Sequence, residues 1–255
     1  MSKLKVGIIG AGQIAELAHI TNYLKYPDEI EITAIVDINI ERAECLSKKY
    51  NIPHYFASSK EMFEALELDI ISVCTPNKFH YESVMAALEN NCHVFCEKPP
   101  SIEAKHALEM LELSEKKEKV LAYNFHHRHS SDVDYMMNAI ENGTIGEIYY
   151  GRIRALRRRG IPGWGVFTDK ALQGGGPLID LGVHMIDIAL YLMKFPKIKT
   201  VLASSYTKIG NVKNNGTLGK WNPEKYEIED FLTAHIKFEN GATISLETSF
   251  ALNIK

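Results

Sequence analysis

The feature that most limits what this chain can fold into is a regular alternation of short β-branched runs and helical stretches over its first half. Runs at 4–9, 30–36, 69–74 and 93–96 read as strands, with helical stretches at 15–24, 42–50 and 81–88 between them. Shorter elements fall at 54–56 and 60–66, Ser101 is placed to cap a helix through Ala104, Ala107, Leu108 and Leu111, and 120–123 reads as the last strand. Strands this continuously apolar belong to a parallel sheet covered on both faces. Residues 1–123 are therefore expected to form an α/β domain with a doubly wound parallel sheet.

After Asn124 the rhythm changes. A helix over 133–140 ends at Asn142-Gly143, a long alternating strand covers 148–158, and strands follow at 200–206, 231–238 and 242–250. Glu239-Asn240-Gly241 reads as a hairpin turn between the last two. Residues 124–255 are expected to be an α+β domain on a mostly antiparallel open sheet, with 208–224, polar and rich in Gly and Asn, as a mobile surface loop.

A length of 255 residues allows one large or two modest domains, and a net charge of −3 argues against a nucleic-acid surface. No apolar run reads as a membrane span, and Met1-Ser2-Lys3 leads straight into a strand, so a cytoplasmic protein without leader or anchor is expected. Cys92 and Cys96, on one strand, would lie roughly 13 Å apart at about 3.3 Å per residue. That exceeds the Cα separation of about 7 Å a disulfide spans. With Cys45 and Cys74 they are read as reduced structural cysteines.

Gly10-Ala11-Gly12-Gln13-Ile14-Ala15 follows the first strand and opens a helix, where a dinucleotide loop sits. Gly10 permits the tight turn, Gly12 lets backbone approach a pyrophosphate, and the helix N-terminus offers unpaired N–H groups. A plain glycine turn is the competing reading. Asp37, at the end of the second strand, favours the dinucleotide, since a carboxylate there would bind the adenosine ribose hydroxyls. It would repel a 2′-phosphate, and Ile38-Asn39 after it are not basic, so NAD is expected over NADP.

Thr75-Pro76-Asn77 and Glu97-Lys98-Pro99 end two further strands, on the side where open parallel sheets bind ligands. A solvent-facing lysine before a proline is the plain alternative for Lys98. In Gly174-Gly175-Gly176-Pro177-Leu178-Ile179-Asp180-Leu181-Gly182-Val183-His184, Gly176 and Pro177 suit a first helical turn. Asp180 and His184, four apart, would share a face with Cβ atoms about 5–6 Å apart, the carboxylate steadying the imidazole, and Asp187 would support them. The competing reading is a core histidine.

His126-His127-Arg128-His129 invites a metal reading, but in a strand only His127 and His129 share a face, and no metal is expected. Arg154, Arg157, Arg158 and Arg159 read as a solvated or interface strand, with contact to an acidic or phosphorylated substrate as the alternative.

Together these motifs resemble the Gfo/Idh/MocA family of oxidoreductases, typified by glucose–fructose oxidoreductase and inositol dehydrogenase. The resemblance spans essentially the whole chain and rests on Gly10 to Ala15, Asp37, Cys74 to His80, Glu97-Lys98-Pro99, and Gly174 to Asp187. It implies a Rossmann domain followed by an α/β domain whose open sheet makes a homo-oligomer. It implies Lys98, Asp180 and His184 as the catalytic group, with a cis Lys98–Pro99 bond. The cofactor would touch Gly10, Gly12, Gln13, Ile14, Asp37, Thr75, Pro76, Asn77, His80, Glu97 and Lys98, with Thr75, Asn77 and His80 along its nicotinamide half. Asn124 and Trp164 would lie near the substrate.

The expected activity is hydride transfer between NAD and a secondary alcohol or ketone of a sugar, sugar derivative or cyclitol. Redox-neutral glycoside hydrolysis with bound NAD, or a non-catalytic sugar or nucleotide sensor, are the alternatives. No nucleic-acid or membrane partner is expected.

Overall fold

The computed structural model describes residues 2–213 and 216–254. Contacts divide the chain into two compact units, Met1–Asn124 and Phe125–Lys255.

In the first unit the strands β1 (Leu4–Ile9), β2 (Ile30–Val36), β3 (His54–Phe56), β4 (Ile70–Val73), β5 (His93–Cys96) and β6 (Leu121–Tyr123) form one sheet in the order β3-β2-β1-β4-β5-β6. Every pairing is parallel. One face packs Val6, Ile8 and Ile35 against Ala15, Ile20 and Leu46. The other packs Ile9, Ile71 and Val73 against Val84, Leu88 and Met110. Each such aliphatic side chain contributes about 1.5–3 kcal/mol on burial, which explains the unbroken apolar runs. The chain steps outward from β1 to β2 and β3, then returns to β4 on the other side. The β1–β4 boundary is thus the topological switch point, and its carboxyl end is where such sheets leave a crevice.

Local chemistry sets the helix ends. Asn39 Oδ1 accepts the Glu41 and Arg42 N–H groups at the start of Ile40–Tyr50, and Asn51 stops that helix in the left-handed region at φ 55°. Ser101 is not the cap expected of it. The helix Ala104–Lys116 begins after Glu103, and the Ser101 hydroxyl accepts the Glu103 N–H at 3.3 Å, closing a turn just upstream. The stretch after Gly12 also departs from a plain α-helix, since Ala15–Ile20 is π-helical before Thr21–Tyr23 continues. Ala15, His19 and Ile20 are all buried there.

In the second unit Ser130 caps the helix Ser131–Glu141 by accepting the Val133 N–H. β7 (Tyr150–Leu156), β8 (Ile198–Tyr206), β9 (Phe231–Phe238) and β10 (Thr243–Ser249) form a sheet ordered β7-β10-β9-β8. β9 runs antiparallel to both neighbours, joined to β10 by the expected turn, whereas β7 pairs with β10 in parallel. The sheet is therefore mixed and mostly antiparallel. Its buried face takes the helix Val183–Leu192, with Ile186, Ala189 and Leu190 on Ile236, Phe238, Ile244 and Leu246.

Two expectations change here. In the 208–224 segment, whose Asn214 and Asn215 lie outside the described residues, the described part is anchored rather than loose. Buried Asp230 accepts the N–H groups of Lys208, Ile209 and Gly210, and Trp221 donates to the Gly210 carbonyl. One stretch, Lys170–Leu192, is also long and apolar enough to cross a membrane by length and composition, although none was expected. Its helix is interrupted at the glycines, and Asp180, His184 and Asp187 on it are buried inside the unit.

Candidate active site

The glycine loop leaves β1 at Gly10, whose φ is +101°. A Cβ there would stand 2.7 Å from the Cys74 carbonyl group, so close approach to the end of β4 and backbone sign both require glycine. At Gly12 an added Cβ would meet nothing within 4 Å. The protein does not fill that side of the turn, while the helix beginning at Ala15 opens directly behind it. Gln13 and Ile14 are exposed at the loop. Asp37, just past β2, accepts the Ala11 N–H with Oδ2 at 2.8 Å and the Asn39 N–H with Oδ1 at 2.8 Å. Its carboxylate thus shapes the loop itself.

Past β4, Thr75 is half-buried, Pro76 exposed and Asn77 buried. The Thr75 hydroxyl oxygen is buried with no hydrogen-bond partner among the described residues. An open glycine turn, a positive helix end and an unmatched buried hydroxyl at one switch point fit a dinucleotide.

His80 is buried, with Nδ1 2.7 Å from the Pro99 carbonyl oxygen and Nε2 2.9 Å from that of Thr75. Both ring nitrogens are therefore engaged by backbone, which ties the loop after β4 to the loop after β5. Burial pushes its pKa down against the opposing pull of the two carbonyls.

Lys98 is half-buried and its bond to Pro99 is cis. Glu97 is turned inward. Its Oε1 accepts from His19 Nε2 at 3.0 Å and from Asn124 Nδ2 at 2.8 Å, and its Oε2 accepts the Lys98 N–H at 3.3 Å. Burial pushes the Glu97 carboxyl up, but the His19 and Asn124 hydrogen bonds and the nearby Lys98 charge outweigh it and hold the pKa below its ordinary value. The side-chain amide of Asn124 thus gives one of its N–H groups to Glu97. The cysteines are free, and burial raises the thiols of Cys74 and Cys96 well up and that of Cys92 to about 11, which makes these three inert at neutral pH.

In the second unit Trp164 is exposed and packs edge-on to Phe167 at 6.1 Å. The three glycines after it differ in role. Gly174 takes φ +87° where Lys170–Gln173 ends, and Gly176 lies against the backbone of Glu229. Glu229 accepts the Gly176 N–H at 2.9 Å and the Leu178 N–H at 3.4 Å, capping the turn that follows.

That turn, Leu178–Gly182, is π-helical rather than the α-helical turn that the spacing suggests. The Thr248 hydroxyl donates to the Pro177 carbonyl at 2.9 Å, engaging an acceptor that an α-turn would use. Asp180 on the π-turn and His184 on the helix Val183–Leu192 are both buried. Asp187, also buried, has both its oxygens engaged by the Arg128 guanidinium.

Arg128 also lies over the rings of Phe125, Tyr191 and Phe195. His126–His129 is a 3₁₀ turn and not a strand, so the face-sharing argument does not apply to it. The rings of His126 and His127 pack on His184 with centroids 5.1 and 4.7 Å away. Among the described residues no group of three His, Cys, Asp or Glu side chains has a geometry that could hold a metal ion. Arg154 lies on β7, while Arg157, Arg158 and Arg159 line a cavity of about 580 Å³ with Gly160, Thr217 and Leu218.

His19 and Arg128 gave no sequence signal of their own, since their partners lie 78 and 59 residues away.

Residues 4–125 match the oxidoreductase family Gfo/Idh/MocA, described as an NAD-binding Rossmann fold, and residues 133–255 match the C-terminal domain of the same family. The chain belongs to the Gfo/Idh/MocA family. It is 48% identical over 254 residues to a D-glucoside 3-dehydrogenase of Escherichia coli K12, covering all of this chain and 72% of that protein. A myo-inositol 2-dehydrogenase of Thermotoga maritima is 30% identical over 190 residues, covering 74% of this chain and 55% of that one. A solved structure of levoglucosan dehydrogenase in complex with NADH and levoglucosan superposes with a TM-score of 0.86 at 25% identity, covering 99% of this chain and 68% of that one. As a Gfo/Idh/MocA protein, the chain is an oxidoreductase with an NAD-binding domain.

Proposed function

We propose that this protein oxidises a secondary alcohol of a sugar or glycoside with NAD. The observation that carries the reading is the glycine turn at the β1–β4 switch point, open at Gly12, with the end of β2 and its Asp37 beside it and Lys98 beyond β5. The 48% identity to a D-glucoside 3-dehydrogenase supports a glycoside as substrate. Gly10, Gly12, Gln13 and Ile14 would hold the pyrophosphate. Asp37 would take the ribose hydroxyls, and the loops carrying Thr75, Pro76, Asn77 and Glu97 would border the nicotinamide. The helix end favours the phosphates and the carboxylate disfavours a 2′-phosphate.

Bound NAD supplies the acceptor for the hydride leaving the alcohol carbon. His184 takes the hydroxyl proton as the C=O bond forms, Asp180 orients the imidazole, and the Lys98 ammonium stabilises negative charge building on the oxygen. One alcohol thus gives one ketone, one NADH and one proton. Trp164, exposed and ten residues before Gly174, is assigned to the sugar ring. Asn124 serves through Glu97.

In the same reading two copies associate through the second sheet. Every residue of β8 is exposed on this chain, including Val201, Leu202 and Tyr206. A monomer in sedimentation at micromolar concentration would sink that part. A cytoplasmic location belongs to the reading as well, and secretion of the native protein would contradict it.

The deciding test is titration with NADH and NADPH, followed by assay of glycosides and inositols at 340 nm. NADH binding stronger than NADPH binding, with Lys98→Met abolishing turnover but not NADH affinity, is the expected result. Wild-type turnover in Lys98→Met overturns its role, and sugar release without net NADH would indicate hydrolysis instead.

A further inference from the structure

A chain of polar groups runs through the interior of the first unit and ends beside Lys98. Tyr23 Oη lies 2.6 Å from Ser72 Oγ, Ser72 Oγ 3.2 Å from His19 Nδ1, and His19 Nε2 3.0 Å from Glu97 Oε1. His19, Ser72 and Glu97 are all buried. One arrangement of hydrogens satisfies every member: Tyr23 donates to Ser72, Ser72 to His19, and His19 to the carboxylate. The remaining Glu97 contacts are donors too, the Asn124 amide and the Lys98 N–H. Such an arrangement is weak evidence of a stabilising role by itself, because a buried carboxylate is costly to desolvate and an apolar pair of similar volume often packs as well.

We propose that His19 is a positioning residue for Lys98. Through Glu97 it fixes the Lys98 peptide relative to the helical stretch that opens the glycine loop, so that cofactor cradle and lysine are held in one register. The ionisable groups facing the pair are Tyr23, Cys74, Cys96, His80 and Lys98. Burial raises Tyr23 and both thiols, which leaves those three uncharged near neutrality. The inference rests on the assignment of Lys98 to the reaction.

The test compares wild type with His19→Leu, which removes the donor, and His19→Gln, whose amide replaces the Nε2–H. Three readouts are taken: NADH affinity by nicotinamide fluorescence, kcat for glycoside oxidation, and the rate at which acetic anhydride acetylates Lys98, read by peptide mass spectrometry. Expected are unchanged NADH affinity in both variants, a kcat loss of about 10- to 100-fold in His19→Leu, and substantial recovery in His19→Gln. The acetylation rate of Lys98 should change in His19→Leu alone.

Wild-type kcat and Lys98 reactivity in His19→Leu would overturn the proposal. So would equal damage in both variants with NADH binding lost, which is the mark of a purely structural role. If the wild type oxidises no sugar, the dehydrogenase reading falls, while the acetylation rates still decide whether His19 positions Lys98.

Discussion

Adjacent glycines make the sharpest test of how the second unit presents its acidic and imidazole side chains. A methyl group on Gly176 would run into the Glu229 carbonyl oxygen, and would lie 3.0 Å from Glu229 Cδ and 3.2 Å from its carbonyl carbon. On Gly175 the nearest atoms would be Glu229 Oε2 and Ile179 Cγ2, each at 3.7 Å, and Glu229 Oε1 at 3.9 Å, all ordinary contacts. Overpacking against backbone costs about 1–3 kcal/mol. Displacing Glu229 also loosens its bonds to the Gly176 and Leu178 N–H groups, each worth about 1 kcal/mol. Gly176→Ala should therefore lose about 3–5 kcal/mol, whereas Gly175→Ala should stay within about 1 kcal/mol, helped by a stiffer unfolded chain.

At about 2–4 °C per kcal/mol, the first variant should melt roughly 10 °C below wild type. Differential scanning calorimetry of the three proteins reads this directly. Equal melting temperatures for the two variants, or a Gly176→Ala protein as stable as wild type, would refute the close-packing argument.

Replacing Arg128 by Met should cost about 3 kcal/mol in urea unfolding, because it strands the buried Asp187 carboxylate. Adding Asp187→Leu should recover part of that loss, and strictly additive effects would show the pair to be uncoupled. His80 carries a pH signature with a definite sign. Folding lowers its pKa, so its contribution is complete above the ordinary histidine value of about 6.5 and is lost as pH falls through that value toward the folded one. His80→Gln should flatten the stability profile as pH falls below about 6.5, and an unaltered slope in the variant would rule this out.

Signals confined to neighbouring residues are legible in the sequence. Apolar runs such as Val6–Ile9 and Ile70–Val73 announce strands, and Gly10 and Gly12 behind the first of them announce the turn, because strand burial and glycine backbone freedom are local properties. What escaped depends on partners distant in sequence. The π-turn at Leu178–Gly182 is set by Thr248 and Glu229, roughly seventy and fifty residues on. His19 reads as one more residue on an apolar helix until Ser72 and Glu97 close around it. The parallel pairing of β7 with β10 is invisible for the same reason, since periodicity reports which face a strand buries but not which way its neighbour runs. Asp230 likewise turns an apparently loose polar segment into an anchored one.

In the proposed reading, where Asp37 both holds the turn and takes the ribose hydroxyls, the order in which this protein can change its cofactor preference is restricted. With one oxygen on Ala11 and the other on Asn39, the side chain cannot be removed without first disturbing the turn it holds. Asn39 is committed too, as the cap of the following helix. Ile38, between them, is 96% exposed and bonded to nothing by its side chain. A lineage drifting toward a phosphorylated cofactor would have to begin there, gaining a basic residue at 38 while 37 stays acidic, and only afterwards trade the carboxylate away. The reverse order passes through a protein with a slackened loop and no new attraction, an intermediate that selection would discard.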